Sequence, residues 1–119
     1  MSIEPCPSSP NCVSTTADVS DVGHYMAPVN FSMEIGEALG VIEQVIADAG
    51  GKVTNTSGDR VDATFRTPLL RFTDDVSFLL DDQTKLMHFR SASRVGHSDL
   101  GANRKRLNAL VPKIASAIG

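Results

Sequence analysis

The chain contains no tryptophan and one tyrosine among 119 residues, and its formal net charge is −3. A nucleic-acid groove needs stacking aromatics and a basic field, so no nucleic-acid partner is expected. No apolar run reaches the roughly 18 residues that crossing a bilayer takes, so no transmembrane segment is expected. The first ten residues hold Glu4 and Pro5 and no apolar stretch, so no signal peptide is expected within the chain. Cysteine is scarce too. Two cysteines with no histidine at finger spacing cannot close a zinc site. No two of His24, His88 and His97 stand at helical i, i+4 spacing, and the acids lack the EF-hand pattern. Neither a metal nor a cofactor is expected.

What is present suits one folded domain. Hydrophobic residues make up 41% and charged residues 21%, the balance of a globule rather than of a disordered chain. A chain of this length hides about two thirds of its surface on folding, within a radius of gyration of roughly 13–14 Å. Charge is divided unevenly along it. Residues 1–60 carry eight acids against the two bases Lys52 and Arg60, whereas residues 61–119 carry six acids and nine bases. Such a split fits pairing between the two halves or an anion-binding surface. Cys6 and Cys12 are close enough for a bridge that would close a small loop, worth roughly 2–2.5 kcal/mol on the chain-entropy account. A disulfide ranks ahead of two idle thiols, and reactive chemistry comes last, because the nearest charge is the acidic Glu4.

Along the chain, Pro5, Pro7, Pro10 and Pro28 break any regular element, so residues 1–31 are expected to form an irregular arm. Its apolar Val22, Tyr25, Met26 and Val29 should pack it on the body. A helix follows, capped by Ser32 and carrying its apolar stripe at Ile35, Ala38, Leu39, Ile42, Val45, Ile46 and Ala49. Gly50-Gly51 stops it, and Gly36 and Gly40 suggest close packing on one side. Four strands are expected at 52–57, 60–67, 71–80 and 85–93, joined by Gly58-Asp59 and by residues 81–84. The first is polar enough for an edge. A second helix begins near Ser98 or Asp99 with Leu100, Asn103, Leu107, Leu110, Ile114 and Ile118 as its stripe, Pro112 kinking it and Lys105, Arg106 and Asn108 facing water.

The expectation is an α+β domain over 32–119. A two-layer, four-stranded antiparallel sheet would have two helices on one face, in the order α-β-β-β-β-α, behind the irregular arm. Asp62, Thr64, Arg66, Asp75, Ser77, His88 and Arg90 would then make the other face polar, open to water, the arm or a partner.

Chemistry concentrates in 90–104. His97, Ser98 and Asp99 look like a triad, but consecutive side chains diverge and triad members meet from separate segments. Capping of the second helix explains Ser98 and Asp99 without catalysis. Gly96 and Gly101 beside that helix start, with Arg90, Arg94 and Arg104, would suit a carboxylate or phosphate. The opposing possibility is an ion-pair network with Asp74, Asp75 and Asp99. Asp74 falls on the core-facing parity, so a partner such as Arg94 or Arg104 is expected for it.

Cys6-Pro-Ser-Ser-Pro-Asn-Cys-Val13, the segment His24-Tyr25-Met26-Ala27-Pro28, the run 71–78 and the run 90–104 together resemble the family catalogued as domain of unknown function 1499. The resemblance spans nearly the whole chain and carries over Cys6, Cys12, Phe72, Asp74, Asp75, Phe78, Arg90, Ser91, Ser93, Arg94, Gly96, Ser98, Asp99, Gly101, Asn103 and Arg104. Members occur in bacteria and plastids, often behind an export or transit segment, with no established reaction. His97 stands where that family more usually has tyrosine, which argues against a catalytic histidine there. If the chain is a trimmed mature form, the resemblance implies an extracytoplasmic setting (periplasm, cell surface or plastid), and paired cysteines would suit it. Otherwise the cytoplasm is expected.

A non-catalytic binding or accessory module is therefore expected, offering Arg90, Arg94 and Arg104 to a small anionic ligand or a protein partner. Two alternatives stand beside it. One is a small hydrolase or lyase pairing Asp74 or Asp75 with His88 or His97. The other is a structural subunit of a larger assembly, marked by an apolar patch.

Overall fold

A computed structural model describes residues 3–68, 71–96, 99 and 101–119. The chain is α+β, with two helices and an antiparallel sheet, but the sheet has six strands rather than four. The additional two come from the arm. β1 (Cys12–Ser14) and β2 (Val29–Asn30) both pair with β6 (Leu86–Ser93), with Cys12 opposite Ala92 and Val29 opposite Met87. They lie one after the other along a single edge of β6, whose other edge pairs with β5 (Thr73–Asp81). β4 (Arg60–Arg66) and then β3 (Lys52–Ser57) complete the order β1-β6-β5-β4-β3. Strands of two or three residues carry no readable period, and their pairing depends wholly on β6.

β5 starts two residues later than its alternation suggested. Arg71 adopts a positive φ of 55°, and Thr67 closes the preceding turn by donating its N–H to the Phe72 carbonyl and accepting the Phe72 N–H on its hydroxyl. α1 (Ile35–Asp48) is capped by Glu34, whose carboxylate accepts from the Gly36 and Glu37 amides. Ser32, the expected cap, instead donates to the Gly119 carbonyl at 2.7 Å and so ties the start of α1 to the end of the chain. α1 stops at Gly50, whose φ is +89°. The tight glycine is Gly51, where a Cβ would come within 2.5 Å of the Phe65 ring; nothing lies within 4 Å of a Cβ at Gly40, so the close packing expected there is absent.

α2 (Ala102–Ile118) begins later than Ser98 or Asp99 and runs through Pro112. Ala38, Leu39, Ile42 and Ile46 of α1 and Leu107, Leu110, Ile114 and Ile118 of α2 share one core with Val61, Phe65, Val76, Phe78, Leu80, Met87 and Phe89 of the sheet. The radius of gyration is 13.3 Å.

The polar face is partly covered. Ile3 is 2% exposed, and Ile3, Cys12, Leu79 and Ala92 are buried apart from the main core. The arm's start is tied down by the Ser14 hydroxyl on the Glu4 carbonyl and by Arg60 on the Glu4 carboxylate at 3.1 Å. Arg60 also bonds Asp62, and Ser77 donates to Asp62 at 2.6 Å. Burial by itself would raise the Asp62 carboxyl, but Ser77 and Arg60 bring it below its ordinary value. The covered part of the face thus lies around Arg60, and the part near Lys52, Arg66 and Thr73 is left open.

Candidate functional site

Toward one end of β5 and β6 the core-facing parity turns polar, at Asp74, Ser91 and Ser93, and α2 answers with Asn103 and Arg106. Asn103 is fully buried. Its carbonyl oxygen accepts from the Ser91 hydroxyl at 2.6 Å and from Arg106 at 3.0 Å. Its two amide hydrogens are shared among the Asp99 carboxylate at 2.6 Å, the Ser93 hydroxyl at 3.0 Å and the Asn11 carbonyl at 3.1 Å. Asn11 in turn donates to the Gly96 carbonyl at 2.7 Å, so the loop before β1, the end of β6 and the start of α2 meet around these two amides.

Asp74 has no exposed surface and pairs with Arg106 at 2.9 Å, not with Arg94 or Arg104 as its parity suggested. The approach lies outside hydrogen-bond geometry, so charge rather than a directed bond holds the pair. Arg106 was expected in water. Its side chain is 13% exposed, and its guanidinium lies 4.9 Å from the Phe65 ring centre while pairing with Asp74.

The other expected residues are dispersed. Arg94 makes a two-point pair with Asp75, both contacts at 2.9 Å, on the open surface, and this pairing raises its pKa further. Arg104 turns the other way and donates to the carbonyls of Val22, Gly23 and Tyr25, clamping the arm to α2. Arg90 is half-buried, and its Nε has no hydrogen-bond partner among the described residues. The three arginines therefore do not converge on one ligand position. Asp99 caps α2 from a distance: its carboxylate accepts from the Gly101 and Asn103 amides, while the residue at the helix start, Gly101, has a φ of +81°. Burial pushes the Asp99 carboxyl up, and these hydrogen bonds more than reverse it, leaving its pKa below the usual value. Gly96 also has a positive φ, of 87°.

His88 bonds the Thr15 hydroxyl at 2.9 Å and sits opposite Leu79, whereas Asp75 sits opposite Ala92. Four residues of strand, roughly 13 Å, separate the two positions, so His88 and Asp75 do not form an acid–base pair. His97 and Ser98 lie outside the described residues. Cys6 and Cys12 are joined in a disulfide with their Cα atoms 5.7 Å apart. Among the described residues no three of His, Cys, Asp or Glu gather where they could hold a metal ion.

The open end of the polar face holds a groove of about 380 Å³ lined by Lys52, Thr54, Thr64, Arg66, Thr73 and Arg94, with Gly50 and Phe65 at its side. Lys52 lies opposite Thr64, and Arg66 lies opposite Thr73, whose carbonyl accepts the Arg94 amide. The register of three elements thus brings three cations and three hydroxyls together. Lys52 and Arg66 make no ion pair among the described residues. Among the described residues no carboxylate, imidazole or thiol lines the groove. Lys52 and Arg66 were not singled out as site residues from the sequence. The outward parity of Arg66 was readable, but only the β3–β4 register adds Lys52.

Comparison with curated proteins and with solved structures returns no match. Residues 2–114 match the family described as "Protein of unknown function (DUF1499)". The resemblance carried by the cysteine loop and by the 71–78 and 90–104 runs is thereby borne out over nearly the whole length, and the chain belongs to the DUF1499 family.

Proposed function

We propose that the protein is a non-catalytic binding or accessory module that takes a small anionic group in the Lys52–Arg66–Arg94 groove. The observation that carries this reading is the pair of cations, Lys52 and Arg66, that make no ion pair among the described residues and lie beside the Thr64 and Thr73 hydroxyls. Elsewhere in the fold, Arg104 and Arg106 are occupied by backbone carbonyls and by Asp74, so they have little left to offer a ligand. Arg94 keeps one side of its guanidinium for a ligand, because Asp75 uses only Nε and Nη2. A carboxylate or phosphate oxygen would find charge from the cations and directed donors from the Thr64 and Thr73 hydroxyls, the Thr54 hydroxyl already donating to the Asp62 carbonyl. The bonded cysteines suit work in an oxidising compartment.

Titration with sodium phosphate and sodium acetate, followed by amide chemical shifts at constant ionic strength, tests the proposal. Saturable shifts are expected at Lys52, Thr64, Arg66 and Thr73, weakening as salt is raised. Arg66→Glu should abolish them while leaving the thermal midpoint nearly unchanged. Shifts that are absent, or that persist in Arg66→Glu, would overturn the reading.

A further inference from the structure

A second groove of about 350 Å³ opens where the end of α1 faces the first half of α2, walled by Ala49, Ala102, Ala109 and Leu110 with Phe65 and Arg106 among its lining. It abuts the cationic groove: Phe65 lines both, and the successive residues Ala49 and Gly50 line one each. Three alanines keep it wide where helix surfaces usually carry long side chains, and Ala102 and Ala109 stand two turns apart on one side of α2. Arg106 brings no free charge to this wall, because it is paired with Asp74 and packed on Phe65, and the exposed Lys105 is the one cation of the lining without an ion pair among the described residues. A mainly apolar trough therefore lies beside a site for negative charge, with Phe65 between them.

Resting on the anion-binding reading above, we infer that the ligand is a single-chain fatty acid. Its carboxylate would sit among Lys52, Arg66 and Arg94, and its alkyl chain would cross Phe65 into the alanine-walled groove. Charge density sets the orientation, since Lys52, Arg66 and Arg94 gather at the first groove, whereas Lys105 stands alone among the alanines of the second. An alkyl chain gains from leaving water along the second groove, and a free acetate or phosphate does not. Ala49 and Ala109 are exposed in the absence of a chain.

Three probes separate the contributions: acetate for the head, octanoate below its micelle concentration for head and chain together, and octanol for the chain. Octanoate is expected to bind at least about tenfold more tightly than acetate, adding shifts at Ala102 and Ala109. Ala109→Glu, an exposed position, should remove that gain and leave the acetate affinity unchanged. If octanoate binds no better than acetate while acetate still shifts Lys52 and Arg66, the fatty-acid inference falls and the anion site stands. Octanol binding as tightly as octanoate would also overturn the inference, because the head would then contribute nothing. If neither octanoate nor acetate reaches the groove, both readings fail.

Discussion

Asn103 illustrates what a single buried amide can hold. Its side chain reaches five groups on four separate segments, and Asn103 itself has no access to water. Asn103→Ala should cost about 3 kcal/mol, since each buried donor or acceptor left without a partner costs roughly 1–3 kcal/mol; urea unfolding measures it. Glycines give a sharper contrast. A methyl group at Gly51 collides with Phe65 and Ile46, so Gly51→Ala should destabilise by about 1–3 kcal/mol. Gly40 lies on the exposed side of α1 with nothing near it, so Gly40→Ala should stabilise by about 0.5–1 kcal/mol. His24 is a third case. Its Nε2 meets the Ser9 carbonyl at 2.8 Å and its Nδ1 the Asp21 carboxylate at 2.7 Å, two acceptors that favour the doubly protonated ring. Ser9 first and Asp21 second raise its pKa above the ordinary 6.5. A raised folded-state pKa gives stability that is complete below pH 6.5 and fades as pH rises through the folded value. Urea midpoints measured from pH 5.5 to 8.5 should fall across roughly that window, and the slope should vanish in His24→Gln.

Among elements, the link from β5 to α2 depends on one buried pair. Arg106→Leu would leave Asp74 charged and uncompensated in the core, at a cost of about 3–5 kcal/mol. Replacing both residues by apolar ones of similar volume should restore most of it, and calorimetry on the three variants would show whether it does. Legibility in the sequence follows the same division. The stripes of α1 and α2 and the alternation of β4 to β6 were readable, because packing on one face imposes a period on each, and β3 was readable as a short polar edge. Asp74 was readable as a core carboxylate in need of a cation. Which cation was not, because Arg94, Arg104 and Arg106 all lie within reach in sequence and only the placement of α2 over Phe65 selects Arg106. The cap of α1 went from Ser32 to Glu34 for a similar reason: the Gly119 carbonyl, distant in sequence, claims the serine. β1 and β2 had no local signal at all.

At the scale of the whole molecule, the disulfide and the sheet order act together on the arm. Cys6 and Cys12 are six positions apart, and a loop of that size is worth about 2–2.5 kcal/mol by chain entropy. The pair Cys6→Ala with Cys12→Ala should lose about that much, read from urea midpoints. The sheet order also sets a sequence of events in time. β3, β4, β5 and β6 are joined to their neighbours by short turns and can zip up in order of synthesis, each hairpin adding only local contacts. β1 has no such neighbour. Cys12 must meet Ala92, and the Ser93 amide must find the Asn11 carbonyl, across nearly the full span of the chain. Its small covalent loop can close before any sheet exists. The arm precedes β6 in the chain, yet its docking must wait until β6 offers it an edge.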